Sequence, residues 1–214
     1  MKKNSTEEVY ASHHKKGERY GSSILERERG RLLREHIGES KNILDIGCRD
    51  GVLTKEFAEN NSVLGIDIDS AALQEAKESL HIEVRQVDLN SSWGLEENSF
   101  DVVVAGEVLE HLYFPKDVIR KASEVLKKPG LLIGSVPNAF SLKNRIRLFF
   151  GEKGSTPLSD PTHINHFHSS ELKGLLEENF DEVEILPLGK WAKFDFLFPG
   201  MFSFDLFFVA RGKK

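Results

Sequence analysis

The segment from residue 43 to residue 54 constrains this chain more than any other part of its sequence. It reads ILDIGCRDGVLT, an apolar strand that carries Asp45 and then enters a turn bounded by Gly47 and Gly51. A dinucleotide-binding turn presents three glycines and a helix N-terminus to a pyrophosphate. A carboxylate at the mouth of the turn repels that anion. The segment therefore predicts a strand–turn–helix unit whose ligand carries a cationic amine and no phosphate.

Composition and charge limit the class of protein. The chain has 214 residues, of which 39% are hydrophobic and 29% are charged, enough for one domain of ordinary size. No apolar run approaches the roughly 20 residues of a membrane span, and the polar start MKKNSTEE is not a signal peptide, so we expect a cytoplasmic protein. The single cysteine, Cys48, excludes an internal disulfide framework. The net charge of −5 argues against DNA or RNA as a partner, although short basic stretches lie at residues 15–19 and 143–147.

Strand-like and helix-like patterns alternate from residue 42 to residue 136, as in repeated βαβ units with a parallel sheet. The predicted strands are residues 42–46, 63–67, 82–87, 100–106 and 131–136, with two more at 183–188 and 204–211. The predicted helices are residues 24–37, 52–59, 71–79, 115–127 and 170–179. We expect the first helix to pack over the edge of the first strand and residues 1–16 to be mobile.

Two further carboxylates stand at predicted strand ends. Asp67 ends the second strand, 22 residues after Asp45, and Asp88 ends the third. Open α/β sheets bind ligands at the carboxyl ends of strands, where Asp67 can accept hydrogen bonds from two ribose hydroxyls and Asp88 from an adenine amino group. Asp69 and Ser70 are expected to cap the next helix instead. An adenosyl group joined to a cationic amine without phosphate describes S-adenosylmethionine, our predicted cofactor, with S-adenosylhomocysteine as the product.

With these residues in place, the chain resembles the class I S-adenosylmethionine-dependent methyltransferases from residue 20 to residue 211. The resemblance is carried by residues 43–54, 65–70, 86–90, 99–112 and 128–138. It implies an α/β, Rossmann-like, doubly wound seven-stranded sheet in the order 3-2-1-4-5-7-6 with strand 7 antiparallel. We expect a single domain over residues 1–214, with an N-terminal helical extension at 1–38 and substrate-side insertions or a lid at 139–168 and 189–203.

The resemblance also implies a cofactor site. Asp45 and Gly47 border the methionine part, Asp67 the ribose, and Asp88 with Leu89 the adenine. The remaining predicted cofactor contacts are Cys48, Gly51, Ile68, Gly106 and Glu107. The chain departs from the common pattern at Arg49, where the family has glycine. A side chain there takes up room and disfavours a left-handed backbone.

The fourth strand runs into GEVLEHL at residues 106–112, which has two interpretations. If a helix starts here, Glu107, Glu110 and His111 share one face and, with a histidine from residues 160–168, can hold a divalent cation. Similar segments bind metal in small-RNA 3′-end methyltransferases and in some quinone-ring O-methyltransferases, and they also occur in relatives with no known metal. We predict no metal, and the alternative ligand set is Glu107, Glu110, His111 and His163.

Methyl transfer needs a nucleophile aligned behind the methyl group and a base for any hydroxyl proton. His111 and His163, followed by His166, are the candidate bases because an imidazole titrates near neutrality. Glu107 is expected to face the cofactor or the substrate. We therefore predict His111, His163 and Glu107 as the catalytic residues.

Two apolar segments inserted into the sheet scaffold give clues to the chemical class of the methyl acceptor. Residues 140–150 predict a basic amphipathic helix, and residues 190–202 are too rich in aromatic side chains for an ordinary exposed loop. The segments form a lid, a dimer contact or a lipid contact. We favour the lid, which makes the acceptor lipophilic. A weak contact with a membrane surface stays possible, and the sequence does not choose between a monomer and a homodimer.

Residues 135–138, 161–163 and 167–172 resemble a small-molecule branch of the family, which includes quinone-biosynthetic enzymes and methionine-biosynthesis-associated methyltransferase-like proteins. We predict O-methylation of a small, lipophilic acceptor by direct in-line transfer. One alternative is a metal-dependent RNA 2′-O-methyltransferase, which the acidic net charge and the lack of an aromatic-plus-basic RNA platform disfavour. The other is a non-catalytic cofactor-binding scaffold in which Arg49 obstructs the site.

Overall fold

The computed structural model describes residues 21, 24–154 and 156–214, and one seven-stranded sheet forms its centre. The strands are β1 Asn42–Ile46, β2 Ser62–Asp67, β3 Glu83–Gln86, β4 Phe100–Gly106, β5 Leu126–Pro137, β6 Phe180–Leu188 and β7 Asp205–Lys213. Their order across the sheet is β3-β2-β1-β4-β5-β7-β6. β7 runs antiparallel to both of its neighbours, and the other pairs are parallel. The predicted fold class, strand order and antiparallel seventh strand are confirmed.

Helices connect the strands and cover both faces of the sheet. In the described part of the chain they are α1 Glu26–Ile37, α2 Lys55–Ala58, α3 Ser70–Leu80, α4 Pro115–Val125, α5 Leu142–Phe149 and α6 Ser169–Glu177. α3 begins where it does because the Asp69 side chain accepts hydrogen bonds from the backbone N–H groups of Ala71 and Ala72. The predicted cap at Asp69 is therefore confirmed. Ser70 is the first residue of the helix, so its predicted capping role is wrong.

Two observed helices are shorter than the sequence predicted. The helix expected over residues 52–59 contracts to α2, because Gly51, at φ +79°, opens a turn over residues 51–54 before the helix begins. The helix expected over residues 115–127 ends at Val125, because Leu126 is extended and pairs with Phe100 of β4. β5 therefore starts at Leu126 rather than at residue 131.

The apolar side chains of the central strands alternate between two buried clusters, one on each face of the sheet. Val103 of β4 packs in the cluster covered by α4 and α6, whereas Val102 packs in the cluster covered by α1. Leu33 and Ile37 of α1 share that second cluster with Phe207 of β7. α1 thus lies over a face of the sheet, and its predicted position at the edge of the first strand is wrong.

The two inserted segments meet at the carboxyl ends of the parallel strands. Leu142 donates its backbone N–H to the carbonyl oxygen of Met201 at 2.7 Å, and Asn138 forms a β-bridge with Phe167. Residues 1–16, most of the predicted N-terminal extension and the basic stretch at 15–19 lie outside the described residues. Within the part of the chain that the structure describes, no helix is long and apolar enough to cross a membrane.

Candidate active site

A cavity of about 570 Å³ opens where β1, β2 and β4 end, the position at which open α/β sheets bind ligands. Its volume falls within the roughly 300–1,000 Å³ of small-molecule sites. The predicted cofactor residues in its wall are Gly47, Cys48, Asp67, Ile68, Asp88, Leu89, Gly106 and Glu107. Glu110, His111 and His163 lie in the same wall. One cavity therefore joins the predicted cofactor residues to the predicted catalytic residues.

The turn after β1 depends on its glycines. Gly47 has φ +72°, and a Cβ atom there would lie 2.6 Å from Cγ2 of Val108. Gly106 faces the same turn, and a Cβ atom on it would lie 2.7 Å from Cδ2 of Leu53. Gly51 is outside the cavity wall and instead packs against α3, because its Cβ would meet Leu80 at 2.6 Å. At Gly47 and Gly106, therefore, the chain presents backbone atoms rather than side chains to the cavity.

Arg49 adopts the left-handed backbone that its side chain was expected to disfavour, with φ +50°. Its backbone N–H donates to Oδ2 of Asp67 at 2.9 Å, and its Nε donates to Oδ1 of Asp50 at 2.8 Å. The two carboxylates therefore hold the turn in this conformation. Arg49 also lies in the cavity wall, and its expected effect on the cofactor stays a prediction. Oδ1 of Asp67 accepts a second bond from the Asp69 N–H at 2.9 Å. Two backbone donors thus orient the Asp67 carboxylate in the cavity wall.

Asp45 does not line the cavity, although its sequence position suggested that it stands at the mouth. It is buried, and its Oδ2 accepts a hydrogen bond from the Thr54 hydroxyl at 2.6 Å. Burial raises the pKa of Asp45 to about 7, and the nearby charge of Asp67 acts in the same direction, while the bond from Thr54 opposes the shift. Asp45 therefore stabilises the turn after β1 through Thr54 without lining the cavity, so it acts on a ligand only through the shape of that turn.

Cys48 fills space beside β2. A Cβ atom on Gly65 would lie 2.7 Å from the Cys48 sulfur, so the small thiol and the glycine fit each other. Burial raises the pKa of this thiol well above its usual value, with the charge of Asp45 adding to the effect. A thiol of raised pKa is a poor nucleophile, which agrees with a packing role for Cys48.

Asp88 and Leu89 form the end of the cavity that follows β3. Oδ1 of Asp88 accepts from the backbone N–H of Asn90 at 2.9 Å and from its side-chain amide at 3.1 Å. The Asp88 carboxylate is thus fixed by hydrogen bonds from Asn90 within the same turn. A carboxylate has about four acceptor positions, so it can also accept from a ligand amine.

Arg29, which the sequence reasoning missed, reaches the cavity from α1. Its guanidinium lies 2.9 Å from Oε2 of Glu107 and 2.6 Å from Oδ2 of Asp205, while Oε1 of Glu107 accepts from the Ser135 hydroxyl at 3.0 Å. Burial opposes the charge of Arg29, but the charges of Glu107 and Asp205 outweigh it and raise its pKa. The signal was present in the sequence, because residue 29 stands four and eight residues before Leu33 and Ile37, on the apolar face of the helix.

The predicted helix at GEVLEHL is a single 3₁₀ turn, Leu109–His111. Glu107 has φ +56° and pairs with Arg29, so it does not share a face with Glu110 and His111 as the helical interpretation required. Glu110 is 1% exposed, and neither of its carboxylate oxygens has a hydrogen-bond partner among the described residues. Burial raises the pKa of Glu110 well above its usual value, and the charge of Glu107 adds to the shift.

Two histidines stand beside Glu110 with their rings oriented by the backbone. Nδ1 of His111 lies 3.0 Å from the carbonyl oxygen of Thr162, and Nδ1 of His163 lies 3.1 Å from that of Pro157. A carbonyl oxygen only accepts, so each neutral imidazole carries its proton on Nδ1 and a lone pair on Nε2. The ring centroids are 4.8 Å apart. The structure thus brings together the two histidines that the sequence ranked first.

The other predicted histidine lies elsewhere. His166 is outside the cavity wall, and its pKa is lowered by burial and by the charge of His163. His168 caps α6 by accepting from the Ser170 N–H. In the described part of the chain, one ligand atom each from Glu110, His111 and His163 lies within 4.8 Å of the others, a spacing that could hold a metal ion. Glu107 is not a member of that group, so the alternative four-residue ligand set is reduced to three.

Comparisons with known proteins agree with this architecture. A family model described as a methyltransferase domain matches residues 17–181. The ubiquinone biosynthesis O-methyltransferase of Nitrosococcus oceani is 34% identical over 113 residues, which are 50% of this chain and 48% of that protein. The corresponding enzyme of Pasteurella multocida is 33% identical over 113 residues, 46% of this chain and 47% of that protein. The chain thus spans about half the length of these curated relatives.

A solved structure has the same fold. An S-adenosylmethionine-dependent methyltransferase from Archaeoglobus fulgidus superimposes with a TM-score of 0.67 at 21% identity, covering 94% of this chain and 99% of the other. This similarity concerns the fold alone. The family model covers most of the chain, and the strand order agrees with it. The chain belongs to the class I S-adenosylmethionine-dependent methyltransferases.

Proposed function

We propose that this enzyme methylates an oxygen atom of a small, lipophilic acceptor bound beside His111 and His163. The observation that carries the proposal is that the wall of one cavity contains both the strand-end carboxylates Asp67 and Asp88 and the two backbone-oriented histidines. The curated relatives named as ubiquinone biosynthesis O-methyltransferases support oxygen as the methylated atom. A hydroxyl group on an apolar ring is the acceptor chemistry that this combination favours.

The cofactor residues follow from the cavity wall. We assign the ribose to Asp67 and the adenine to Asp88, Leu89 and Ile68, because these residues line the wall where β2 and β3 end. The methionine part lies against Gly47, Cys48, Gly106 and Glu107. The Glu107 carboxylate, held by Arg29 and Ser135, offers a negative oxygen to an ammonium group. Asp45 and Gly51 act from behind the wall by shaping the turn.

S-adenosylmethionine, when bound, supplies a methyl group on a positively charged sulfur. The protein aligns the acceptor oxygen with that methyl group and removes the hydroxyl proton. We assign proton acceptance to Nε2 of His111 or His163, because Nδ1 of each ring is engaged by a backbone carbonyl. These Nε2 atoms lie 3.8 Å from Oε1 of Glu110 and from Oδ2 of Asp160, respectively. Bound S-adenosylmethionine would supply the methyl group, with its C–S bond breaking as the C–O bond forms, while Nε2 of the imidazole would hold the hydroxyl proton. His111 is the first candidate base and His163 the second.

The test replaces His111 or His163 with glutamine and measures turnover separately from cofactor affinity. General-base catalysis contributes about 10²- to 10⁴-fold, so turnover of a catechol or hydroquinone acceptor should fall by about that factor. The dissociation constant of S-adenosylmethionine, measured by calorimetry, should be unchanged. His166→Gln is the matched control, because His166 lies outside the cavity wall. Equal loss of turnover and cofactor affinity in His111→Gln would indicate a structural role and contradict the assignment.

A metal-assisted variant of this function is the second candidate, and Glu110 is the observation that favours it. Its two buried oxygens have no hydrogen-bond partner in the described part of the chain, and they adjoin two imidazoles. The Nδ1 atoms of these imidazoles are engaged by carbonyls, the usual outer contacts of histidine ligands. The expected result for our first proposal is that exhaustive treatment with a chelator leaves turnover unchanged. Loss of turnover that Mn²⁺ or Zn²⁺ restores in the wild-type enzyme, but not in Glu110→Gln, would establish the metal instead.

A further inference from the structure

Exposed aromatic and aliphatic side chains cluster on the two inserted segments. Phe149 is 84% exposed and Phe196 is 78% exposed. We define the aromatic–basic patch by its exposed apolar residues, which are Ile146, Phe149 and Phe150 of α5 and Trp191, Phe194, Phe196, Leu197 and Phe198 of the 189–203 segment. Among the described residues, none from 189 to 203 lines the cavity, whereas Lys143, Asn144 and His163 of the 139–168 segment do, so the predicted lid stays a prediction. The exposed apolar side chains of the patch are not among these lining residues. They face outward.

The charges of the patch are almost all positive, in contrast with the net charge of −5 of the chain. The basic residues of the two segments are Lys143, Arg145, Arg147, Lys190 and Lys193. Residues 140–150 and 189–203 contain one acidic residue, Asp195, and the exposed Glu152 follows just after α5. Asp195 is buried and accepts hydrogen bonds from the backbone N–H groups of Gly200, Phe202 and Ser203. Lys190 and Lys193 lie over the rings of Trp191 and Phe194, at 5.8 and 5.1 Å from the centroids.

The patch is fixed at its base, although its side chains are exposed. The Asn138 side-chain amide donates to the carbonyl oxygens of Gly200 and Ser203 at 2.8 and 3.0 Å, and the Leu142 N–H donates to Met201. These bonds join the two segments through buried groups. The aromatic side chains are therefore carried on a preformed frame, so docking orders only side chains and costs little entropy.

We propose that the aromatic–basic patch docks on an anionic lipid bilayer. Apolar rings flanked by lysine and arginine suit the boundary between acyl chains and negatively charged headgroups. Charge complementarity selects this partner, because a second copy of the chain would bring two positive patches together. The patch also adjoins the cavity, since Lys143 of α5 and Phe204, which directly follows the 189–203 segment, lie in the cavity wall. A docked molecule can therefore take a lipophilic acceptor directly from the bilayer, although the docking itself does not depend on methyl transfer.

Vesicle co-sedimentation tests the proposal with the whole protein. We expect binding to phosphatidylcholine vesicles that contain phosphatidylglycerol, and weaker binding to phosphatidylcholine alone or at high salt. An interfacial lysine contributes about 1 kcal/mol, so the double variant Lys190→Gln with Lys193→Gln should bind about 25-fold more weakly. The matched control is Lys77→Gln with Lys173→Gln, which removes two exposed charges outside the two segments and should bind like the wild type.

Tryptophan fluorescence gives an independent readout. Trp93 is buried and Trp191 is exposed, so a Trp93→Phe background reports on Trp191 alone. Brominated anionic vesicles should quench this signal, and Phe196→Ser should reduce the quenching. Circular dichroism of each variant checks that the fold is retained. The proposal is overturned if the wild type does not bind, if it binds neutral and anionic vesicles equally, or if light scattering shows a dimer that Phe196→Ser dissociates.

Discussion

Replacing Asp45 with asparagine should make the free energy of unfolding less sensitive to pH. Asp45 is buried, and its pKa in the folded protein is about 7, against an ordinary value of 3.8. Its protonated form is therefore the one that the fold favours. The resulting stability is complete below the ordinary pKa and is lost as the pH rises through the folded pKa. Asparagine keeps an oxygen that can accept from Thr54 but does not titrate.

The magnitude follows from the difference in proton binding. Between about pH 5 and its folded pKa, the Asp45 carboxyl is ionised in the unfolded chain but protonated in the folded protein. The free energy of unfolding of the wild type therefore falls by about 1.4 kcal/mol per pH unit up to that pKa, or by about 2.7 kcal/mol in total between about pH 5 and about pH 8. The stability of Asp45→Asn minus that of the wild type should rise by about this amount over the range. Urea unfolding followed by circular dichroism, without added cofactor, measures it. Asp117→Asn, on the exposed surface of α4, is the control for removing a carboxylate that is not buried. A flat or falling difference for Asp45→Asn would refute the reasoning.

Two further predictions concern stability and are checked by the same unfolding measurement. Gly47→Ala should destabilise the protein by about 1–3 kcal/mol more than the control Gly38→Ala. Both glycines have φ +72°, but only at Gly47 would the new Cβ clash with Val108. Equal losses of stability would show that the clash relaxes. Arg29→Met should cost about 3–5 kcal/mol, because it leaves Glu107 and Asp205 facing each other without a counter-charge. A loss below about 1 kcal/mol, as for a surface ion pair, would contradict that account.

The succession of elements was predictable because each strand of the sheet carries its own local signal, whereas the strand order in the sheet and the antiparallel seventh strand came from the resemblance to class I methyltransferases. The alternation of apolar strands and amphipathic helices, together with the carboxylates at strand ends, determined the order of the elements up to residue 136. Boundaries failed where a long-range pairing decided them. The pairing of Leu126 with Phe100 shortens α4 and lengthens β5, and no pattern within residues 115–127 reports that contact.

The sequence predicted which residues form the candidate site better than it predicted the directions of their side chains. The wall contains most of the expected residues, yet Asp45 turns to Thr54 and away from the cavity. Glu107 pairs with Arg29, whose partner Asp205 lies 176 residues away in the chain. Such a contact has no local sequence signature beyond a charge on an apolar helix face. Side-chain direction at a turn depends on these distant partners, so spacing alone could not supply it.

Calorimetric titration with S-adenosylmethionine tests the proposed site most directly, with the wild type and Asp67→Asn compared. Saturable one-to-one binding to the wild type is expected. Loss of a hydrogen bond to a charged acceptor costs about 1.5–3 kcal/mol, so the affinity of Asp67→Asn should fall by roughly 10- to 100-fold. Asp117→Asn should bind like the wild type. Absence of saturable heat from the wild type at millimolar S-adenosylmethionine, or unchanged affinity in Asp67→Asn, would contradict the account.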